Sequence, residues 1–172
     1  MKKIIYAILM IVLSMPLCGY TIKGGVTYTV ETARKEAFAD VEYTLPKSII
    51  EANKVDPNYQ ENMEAKTKGK DEFRDRYLTF FDDGGYGVEY KNNKYYEFYY
   101  DSNGELERIG KIVKFKFPFK TCIYNTQGML VFIAYTVSYR DTYTFRVNGE
   151  LDSHWIGDWC YDKNGNIVGK RR

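Results

Sequence analysis

The sequence contains few of the residues that bind metals or act as general acids and bases. Its 172 residues include one histidine, three cysteines and two tryptophans. Neither a C-x-x-C pair nor a pair of closely spaced histidines is present, so the ligand spacing of a zinc site is missing. The sequence therefore predicts no metal site, no cofactor and no catalytic residue, and it favours a protein that is not an enzyme.

An excess of charge of one sign is also missing. The formal net charge of +2 comes from Lys2 and Lys3, because acidic and basic residues balance in the rest of the chain. A nucleic-acid binder needs a basic stripe that neutralises phosphates. Only the C-terminal "GKRR" and the segment "KIVKFKFPFK" are locally basic. We therefore expect no nucleic-acid partner.

The N-terminal segment has the layout of a secretory signal peptide. Two lysines precede an apolar run at residues 4–13, and Pro16 is followed by the small residues Cys18 and Gly19. Basic, apolar and small-residue regions in this order are typical of export signals. We predict a signal peptide at residues 1–19 and an exported protein, in the periplasm, at the cell surface or secreted.

Two alternatives to a cleaved leader remain open. Residues 4–22 carry no charge and are about long enough to span a bilayer, so an uncleaved anchor would place the protein at a membrane. Lipidation of Cys18 is the weaker alternative, because Leu17 before it is large. A membrane is an expected partner only if the leader stays on the chain.

Two cysteines, Cys122 and Cys160, follow the leader. An even number of cysteines in an exported chain is compatible with a disulfide. Two thiols buried in the core are the alternative, since the sequence does not fix the distance between them.

The first third of the mature chain has helical periodicity. Residues 31–45 place alanine, valine and leucine at four-residue spacing, which predicts an amphipathic helix. Pro46 can open a second, short helix, and Asp56 with Pro57 marks a third start. That third helix has little to bury and is expected to lie on the surface. Residues 20–70 are thus predicted to form a helical segment.

Residues 71–172 alternate with period two and are predicted to form an antiparallel sheet. The candidate strands cover residues 74–81, 86–90, 94–100, 105–110, 111–117, 119–124, 129–139, 143–146, 150–156 and a final pair around 159 and 167. Turn residues separate them, and several turns contain Asn-Gly, which is the strongest short hairpin signal.

One hairpin pattern recurs four times. "YDSNGEL" from Tyr100, "YNTQGML" from Tyr124, "FRVNGEL" from Phe145 and "YDKNGNI" from Tyr161 each place glycine four residues after an aromatic residue and an aliphatic residue two positions later. The glycine suits the reversal, and Asp or Asn before it can bond to the turn backbone. The pattern therefore predicts hairpins in which the aromatic and the aliphatic side chains meet across the strands.

Two segments indicate how the sheet is covered. "KIVKFKFPFK" alternates strictly, so one of its faces meets water, and its proline suggests an edge or a bulge. "MLVFIAYTVSY" is apolar at both parities and predicts a central strand covered on both faces. We therefore predict an α+β, mainly β fold: N-terminal helices packed on a curved antiparallel β-meander of hairpin repeats.

"YYDSNGEL" and "CYDKNGNI" resemble the core of two related sets of bacterial β-hairpin repeats. These are the YD repeats of large cell-surface and toxin-associated proteins and the MORN-variant repeats of small exported or toxin-neutralising proteins. The resemblance covers residues 95–169. It implies an exported, non-catalytic scaffold of the cell envelope.

Aromatic side chains are the best candidates for binding. In "KYYEFYY", Tyr95 and Tyr99 flank Glu97 on the face opposite the predicted core. Trp155 and Trp159 are expected to share a face if their strand is regular. Rigid amphipathic rings suit protein partners or sugars, although cross-strand packing alone also explains them.

The sequence selects no catalytic constellation. His154 adjoins Ser153, but neighbours on a strand point to opposite faces, so a surface or interface histidine is expected. Glu97, Glu105 and Glu107 could supply paired carboxylates, yet nothing selects a pair. The acidic turns at residues 82–85 and 162–166 are better explained by turn chemistry than by calcium.

The sequence therefore favours an exported, non-catalytic binding or scaffold protein whose partner is an envelope protein or a glycan. One alternative is an envelope enzyme acting on glycan. The other is a toxin-neutralising protein that offers an unpaired sheet edge near residues 111–119.

Overall fold

The computed structural model describes residues 22–23 and 26–170. The leader predicted at residues 1–19, with its anchor and lipid alternatives, lies outside the described residues. Within the described ranges, no helix combines the length and the apolar character that a bilayer crossing requires.

Three helices precede the large sheet in the described part of the chain. The elements before the sheet are β1 (Ile22–Lys23), β2 (Val26–Thr27), α1 (Val30–Phe38), α2 (Lys47–Ala52) and α3 (Tyr59–Thr67). Thr29 caps α1, since its hydroxyl oxygen accepts a hydrogen bond from the Thr32 amide at 3.1 Å. Pro46 precedes α2, as the sequence predicts.

The helix predicted over residues 31–45 is shorter than expected. It ends at Phe38, and Asp40 then adopts a φ of 52° that a helix cannot continue through. Leu45 lies instead beside the sheet, where its amide donates to the Gly128 carbonyl at 2.8 Å. Backbone bonding to the sheet therefore replaces the last part of the predicted helix.

The remaining strands form one ten-stranded antiparallel sheet in which each strand pairs with its neighbour in sequence. The strands are β3 (Arg76–Phe80), β4 (Tyr86–Tyr90), β5 (Tyr96–Tyr100), β6 (Leu106–Lys114), β7 (Phe119–Asn125), β8 (Leu130–Ser138), β9 (Asp141–Arg146), β10 (Leu151–Ile156), β11 (Trp159–Asp162) and β12 (Ile167–Lys170). The predicted fold class, α+β and mainly β with an antiparallel meander, is confirmed.

The recurring hairpin pattern forms the turns that the sequence predicts. A side-chain oxygen of Asp101, Asn125 or Asp162 accepts two backbone N–H groups of its own turn. The glycine three residues later has a φ of 80°, 77° or 82°, respectively. The aromatic and aliphatic residues of each repeat face each other in register: Tyr100 and Leu106, Tyr124 and Leu130, Phe145 and Leu151, and Tyr161 and Ile167.

Three of these turns also receive the helices. A Cβ added at Gly104, Gly128 or Gly149 would lie 2.7 Å from Tyr59 of α3, 2.9 Å from Ile50 of α2 and 3.8 Å from Arg34 of α1, respectively. The helices therefore dock on the turns in reverse sequence order. Ala33 and Ala37 of α1 are fully buried in the core that the helices and one face of the sheet enclose.

The third helix buries more than the sequence suggests, because one of its faces packs against the sheet. Its Asn62 is fully buried, with Asp56 and Arg76 also buried beside it. Asp56 accepts hydrogen bonds from the side-chain Nδ2 of Asn62 at 2.8 Å and from the Tyr86 hydroxyl at 2.6 Å, and Arg76 Nε donates to Asn62 Oδ1 at 2.9 Å. Because buried polar groups are costly when unpaired, this network fixes α3 against β3 and β4.

The sheet edge expected near residues 111–119 is not an edge. β6 lies between β5 and β7, and residues 115–118 form the turn between β6 and β7. Phe115 is 45% exposed in that turn. The two edges of the sheet are β3 and β12.

Cys122 and Cys160 do not form the disulfide that the sequence left open. Both are buried thiols, one on β7 and the other on β11. Four strand spacings separate them, about 19 Å, whereas a disulfide needs Cα atoms within roughly 7 Å. The alternative, two thiols within the fold, is the one observed.

We predict that reduction leaves the intact mass of the purified protein unchanged. Burial raises the pKa of the Cys122 thiol, so alkylation at Cys122 should be slow in the folded protein and fast in denaturant. Mass spectrometry before and after reduction and alkylation measures both effects. A mass gain on reduction would contradict the observed separation of the two cysteines.

A second prediction concerns the turn that holds α2. Gly128→Ala should destabilise the fold strongly, because its Cβ would lie 2.9 Å from the Leu45 carbonyl oxygen, which is backbone and cannot rotate away. Gly157→Ala is the matched control, since Gly157 also has a positive φ but its Cβ would meet no atom within 4 Å.

The Gly157→Ala control should lower the free energy of unfolding by about 1 kcal/mol, because alanine is strained at a positive φ. Gly128→Ala should lower it by about 2 kcal/mol more. Urea denaturation of both variants measures the difference. Equal losses would show that the contact with Leu45 does not constrain the turn.

Candidate functional site

The sheet has one face that no described helix covers. Residues directly opposite each other on antiparallel strands share a face, so the register defines this surface. We call it the uncovered face. Its members include Glu89 and Glu97, Tyr99 and Arg108, and Phe132. Most of its central residues are half-buried by their neighbours on the sheet.

The central strand β8 illustrates the asymmetry. Its core face carries Ile133 and Val137, both fully buried. Its other face carries Phe132 and Ala134, which are half-buried. The sequence predicts cover on both faces of this strand, but the described helices provide it on one.

A carboxyl group lies desolvated on the uncovered face. The Tyr99 hydroxyl donates to Glu97 Oε2 at 2.6 Å. Burial is the main reason that the pKa of Glu97 lies above its usual range; the hydrogen bond from Tyr99 lowers it, and repulsion from Glu89 raises it further. The pKa of Tyr99 is raised as well, by burial first and then by the Glu97 charge.

Two glycines make room for this pair. A Cβ at Gly110 would lie 3.2 Å from Glu97 Oε2, and a Cβ at Gly87 would lie 3.5 Å from the Tyr99 ring. The carboxyl and the ring therefore lie low over the backbone of the neighbouring strands. The Phe81 ring adjoins Tyr99 with centroids 6.2 Å apart.

Tyr95 lies immediately before β5, in the turn that precedes this strand. Its side chain is 61% exposed and meets Phe115 edge to face, with centroids 5.2 Å apart. Tyr95 and Tyr99 lie about 13 Å apart along the strand, with Glu97 between them. The predicted placement of Tyr99 beside Glu97, opposite the core residues Phe98 and Tyr100, is confirmed.

We call this group the aromatic–acidic strip. It consists of Phe81, Glu89, Tyr95, Glu97, Tyr99 and Phe115. Its rings can stack on an apolar or sugar surface, and its two carboxylates can accept hydrogen bonds from hydroxyl or amine donors.

The two tryptophans do not belong to one surface. Trp155 pairs with Thr142 and Cys160 on the uncovered face, whereas Trp159 pairs with Ile156 on the opposite face. The shared parity expected from the sequence is wrong because the chain reverses between β10 and β11. Trp155 is also five strands away from Tyr99, so the structure brings together only the two tyrosines of the four predicted binding residues.

His154 is buried, not the surface or interface residue that the sequence suggests. Its Nε2 lies 2.7 Å from Asp141 Oδ1, and its ring stacks on Tyr143 with centroids 3.9 Å apart. Ser153 faces the other side of the strand, as strand alternation requires. This arrangement satisfies a core histidine and offers no nucleophile.

Three strip residues, Phe81, Glu89 and Phe115, are not among the candidates that the sequence indicates. Glu105 and Glu107, the carboxylates that the sequence offers as partners of Glu97, are both exposed, whereas Glu89 stands directly opposite Glu97 in register. The sequence could have indicated Glu89, because a hairpin centred on Asn93 places Glu89 and Glu97 opposite each other. The composition of the chain does not indicate this pair.

The described residues contain no group of three or more histidine, cysteine, aspartate or glutamate side chains placed to hold a metal ion. In each acidic turn one carboxylate accepts hydrogen bonds from backbone amides. Asp162 Oδ1 accepts the amides of Asn164 and Asn166 at 2.8 Å, and Asp83 Oδ1 accepts the Gly85 amide at 3.0 Å.

We predict that Glu97→Gln stabilises the protein near neutral pH. The pKa of Glu97 is higher in the folded than in the unfolded protein, so the protonated side chain contributes its full stabilisation below the unfolded-state pKa. This contribution is lost as the pH rises through the folded-state pKa. Glutamine avoids that loss and can still accept the Tyr99 hydrogen bond. Glu107→Gln, at an exposed position on β6, is the control.

Urea denaturation of both variants at about pH 4 and about pH 8 measures the effect. The difference in the free energy of unfolding between Glu97→Gln and the unmodified protein should be larger at the higher pH. The corresponding difference for Glu107→Gln should be the same at both pH values. If Glu97→Gln is the less stable protein at the higher pH, its carboxylate is not desolvated.

Comparisons with known proteins identify no relative. No family model matches the chain, and no curated protein or solved structure matches it either. The resemblance of residues 95–169 to YD and MORN-variant repeats therefore stays a prediction, and the function must be argued from the strip itself.

Proposed function

We propose that the chain is an exported, non-catalytic binding protein of the bacterial cell envelope that holds a glycan along the aromatic–acidic strip. The observation that carries this proposal is Glu97, a desolvated carboxyl on a sheet face that no described helix covers. The leader pattern and the repeat resemblance support the compartment.

The geometry suits a sugar polymer. Tyr95 and Phe115 present exposed rings at one end, and Tyr99 with Phe81 presents a second ring pair at the other. A sugar stacks its apolar C–H face on such rings, while its hydroxyls donate to carboxylates between them. The spacing of about 13 Å accommodates a short run of sugar units.

An envelope enzyme acting on glycan is the second candidate. Directly opposite residues on antiparallel strands have Cβ atoms about 5 Å apart, and retaining glycosidases need carboxyl groups at about that separation. Glu89 and Glu97 are such directly opposite residues, so their carboxyl groups are able to reach this separation, and the raised pKa of Glu97 suits a general acid.

We predict that labelled neutral hexasaccharides from envelope glycans bind the protein and that Tyr95→Ala weakens this binding about threefold to tenfold through lost stacking. Glu97→Gln should also weaken binding, since a ligand hydroxyl loses a charged acceptor. Tyr139→Ala is the matched control, because Tyr139 is 80% exposed on the turn after β8, away from the strip.

Fluorescence anisotropy at two salt concentrations measures the affinities, and a neutral glycan should bind equally at both. Binding that survives Tyr95→Ala and Glu97→Gln but fails in Tyr139→Ala would place the site elsewhere. Release of shortened sugars, abolished by Glu89→Gln and by Glu97→Gln, would show the enzyme instead of the binder.

A further inference from the structure

The hairpin turns lie at the two ends of the sheet. Each strand pairs antiparallel with its neighbours in sequence, so alternate turns lie at the same end. The turns of the hairpin repeat lie at one end, where the helices dock. The turns at residues 91–95, 115–118, 139–140 and 157–158 lie at the other end. We call this second group of turns the far end.

Three turns of the far end each combine an exposed aromatic ring with a neighbouring basic residue. The pairs are Lys94 with Tyr95, Phe115 with Lys116, and Tyr139 with Arg140. The three rings are 61%, 45% and 80% exposed, in that order, and Val113 near the end of β6 is 47% exposed. Alternate strands of a sheet lie about 10 Å apart, so these turns form a row across the end of the sheet.

The turns at the two ends of the sheet carry opposite charge. The charged turn residues at the far end are Lys91, Lys94, Lys116, Arg140 and Asp158. The charged turn residues at the opposite end are Asp82, Asp83, Asp101, Glu105, Glu150 and Lys163. The far end is therefore mainly basic, whereas the end that carries the repeat turns is mainly acidic.

Most acidic residues that border the far end are neutralised within the chain. The ion pairs are Glu42 with Lys111, Glu72 with Lys91, Asp75 with Arg76, and Asp158 with Arg140. Asp40 and Asp71 form no ion pair among the described residues, but they lie in the chain before β3 and not in a hairpin turn. These carboxylates therefore leave the cations of the hairpin turns without a partner.

Three lysines at or beside the far-end turns keep an unpaired charge. Lys94, Lys114 and Lys116 are exposed, and none of them forms an ion pair within the described ranges. Lys114 also stands directly opposite the buried Lys120 in register, and like charges across a strand pair are unfavourable. Such a local cost is offset where an external anion meets the exposed lysine.

We propose that the far end docks on a lipid bilayer that contains anionic lipids. In the docked state the rings of Tyr95, Phe115 and Tyr139 lie at the level of the lipid headgroups, and the lysines bind lipid phosphates. This contact does not require the leader to remain on the chain. It does not rest on the glycan proposal either, although Tyr95 and Phe115 belong to both surfaces.

A lipid surface fits the far end better than other anionic or apolar partners. A nucleic acid would satisfy the lysines, but it offers no apolar phase to the exposed Val113 side chain. A second copy of the chain would bring the far-end lysines of both copies together, and such like-charge contacts are costly. A bilayer interface supplies both an apolar phase and phosphate groups, and turns at the end of a sheet reach a plane without a change of the fold.

Cosedimentation of the full chain with vesicles tests the proposal. We expect binding to phosphatidylcholine vesicles that contain about one third phosphatidylglycerol, and at least about threefold weaker binding to phosphatidylcholine alone. The protein variants share the same N-terminus, so any contribution of the apolar residues 4–13 is common to all of them.

Two charge-reversed double variants locate the contact. Lys114→Glu combined with Lys116→Glu should weaken binding to the anionic vesicles at least about tenfold. Lys47→Glu combined with Lys163→Glu makes the same change of net charge at exposed residues near the opposite end, and should change binding by less than about threefold. The strands hold the two ends roughly 20 Å apart, beyond the Debye length of about 8 Å at physiological salt.

The exposed ring of Tyr139 separates this proposal from the glycan proposal. Tyr139→Ala should weaken vesicle binding about threefold to tenfold, whereas it is the control that leaves glycan binding unchanged. Tyr43→Ala is the matched control on vesicles, because Tyr43 is 53% exposed and its carbonyl accepts the Leu130 amide at the repeat end. Failure of one proposal is therefore distinguishable from failure of the other.

Hydrogen exchange gives the position of the contact. Exchange at residues 113–117 should slow when anionic vesicles are bound, and exchange at the repeat turn of residues 126–129 should not. Protection at the repeat turn instead would overturn the proposal. Equal binding to neutral and anionic vesicles, or equal losses in the two double variants, would also contradict it, because the far-end lysines would then not recruit the bilayer. Absence of vesicle binding, with a short DNA duplex bound in its place, would assign the far end to a polyanion.

Discussion

The structure depends on one local interaction, the side-chain oxygen that closes a hairpin turn. Asp101, Asn125 and Asp162 each accept two amides of their own turn, and a glycine with positive φ completes the reversal. These contacts are local in sequence, so they fix strand register at little entropic cost. Register then decides which side chains reach the core, because a shift of one residue would exchange the two faces.

The helices follow from the same turns. A glycine at the reversal leaves space that a side chain would fill, and residues of the helical segment enter that space at Gly104 and Gly128, while Arg34 of α1 makes an ordinary contact at Gly149. Leu45 adds a backbone bond to Gly128, and the Asp56 amide donates to the Gly104 carbonyl at 2.9 Å. The repeat therefore performs two tasks, since it pairs the strands and also receives the layer that covers them.

The difference between contacts that are local in sequence and contacts between distant segments explains what the sequence could predict. The turns that contain the repeat, the pairing of strands in sequence order and the fold class depend on local patterns and agree with the structure. The strands predicted at residues 105–110 and 111–117 are an exception, because they form one continuous strand, β6. The end of α1 depends on a bond between Leu45 and Gly128, which are distant in sequence, and propensity does not contain it. The buried state of Asn62 and His154 depends on partners from other elements, Arg76 and Asp141, so neither could be recognised from periodicity.

The candidate site shows the same limit. The alternation of side chains along a single strand was enough to predict Tyr95 and Tyr99 on either side of Glu97. Glu89 required the register of the hairpin, and that register brings two like charges together on one face. A sheet selected for stability alone would not place a carboxyl opposite another and then desolvate it. Such a local cost is expected where a side chain serves a ligand, which is the physical reason to look for function at Glu97 and not in the well-satisfied network around Asn62.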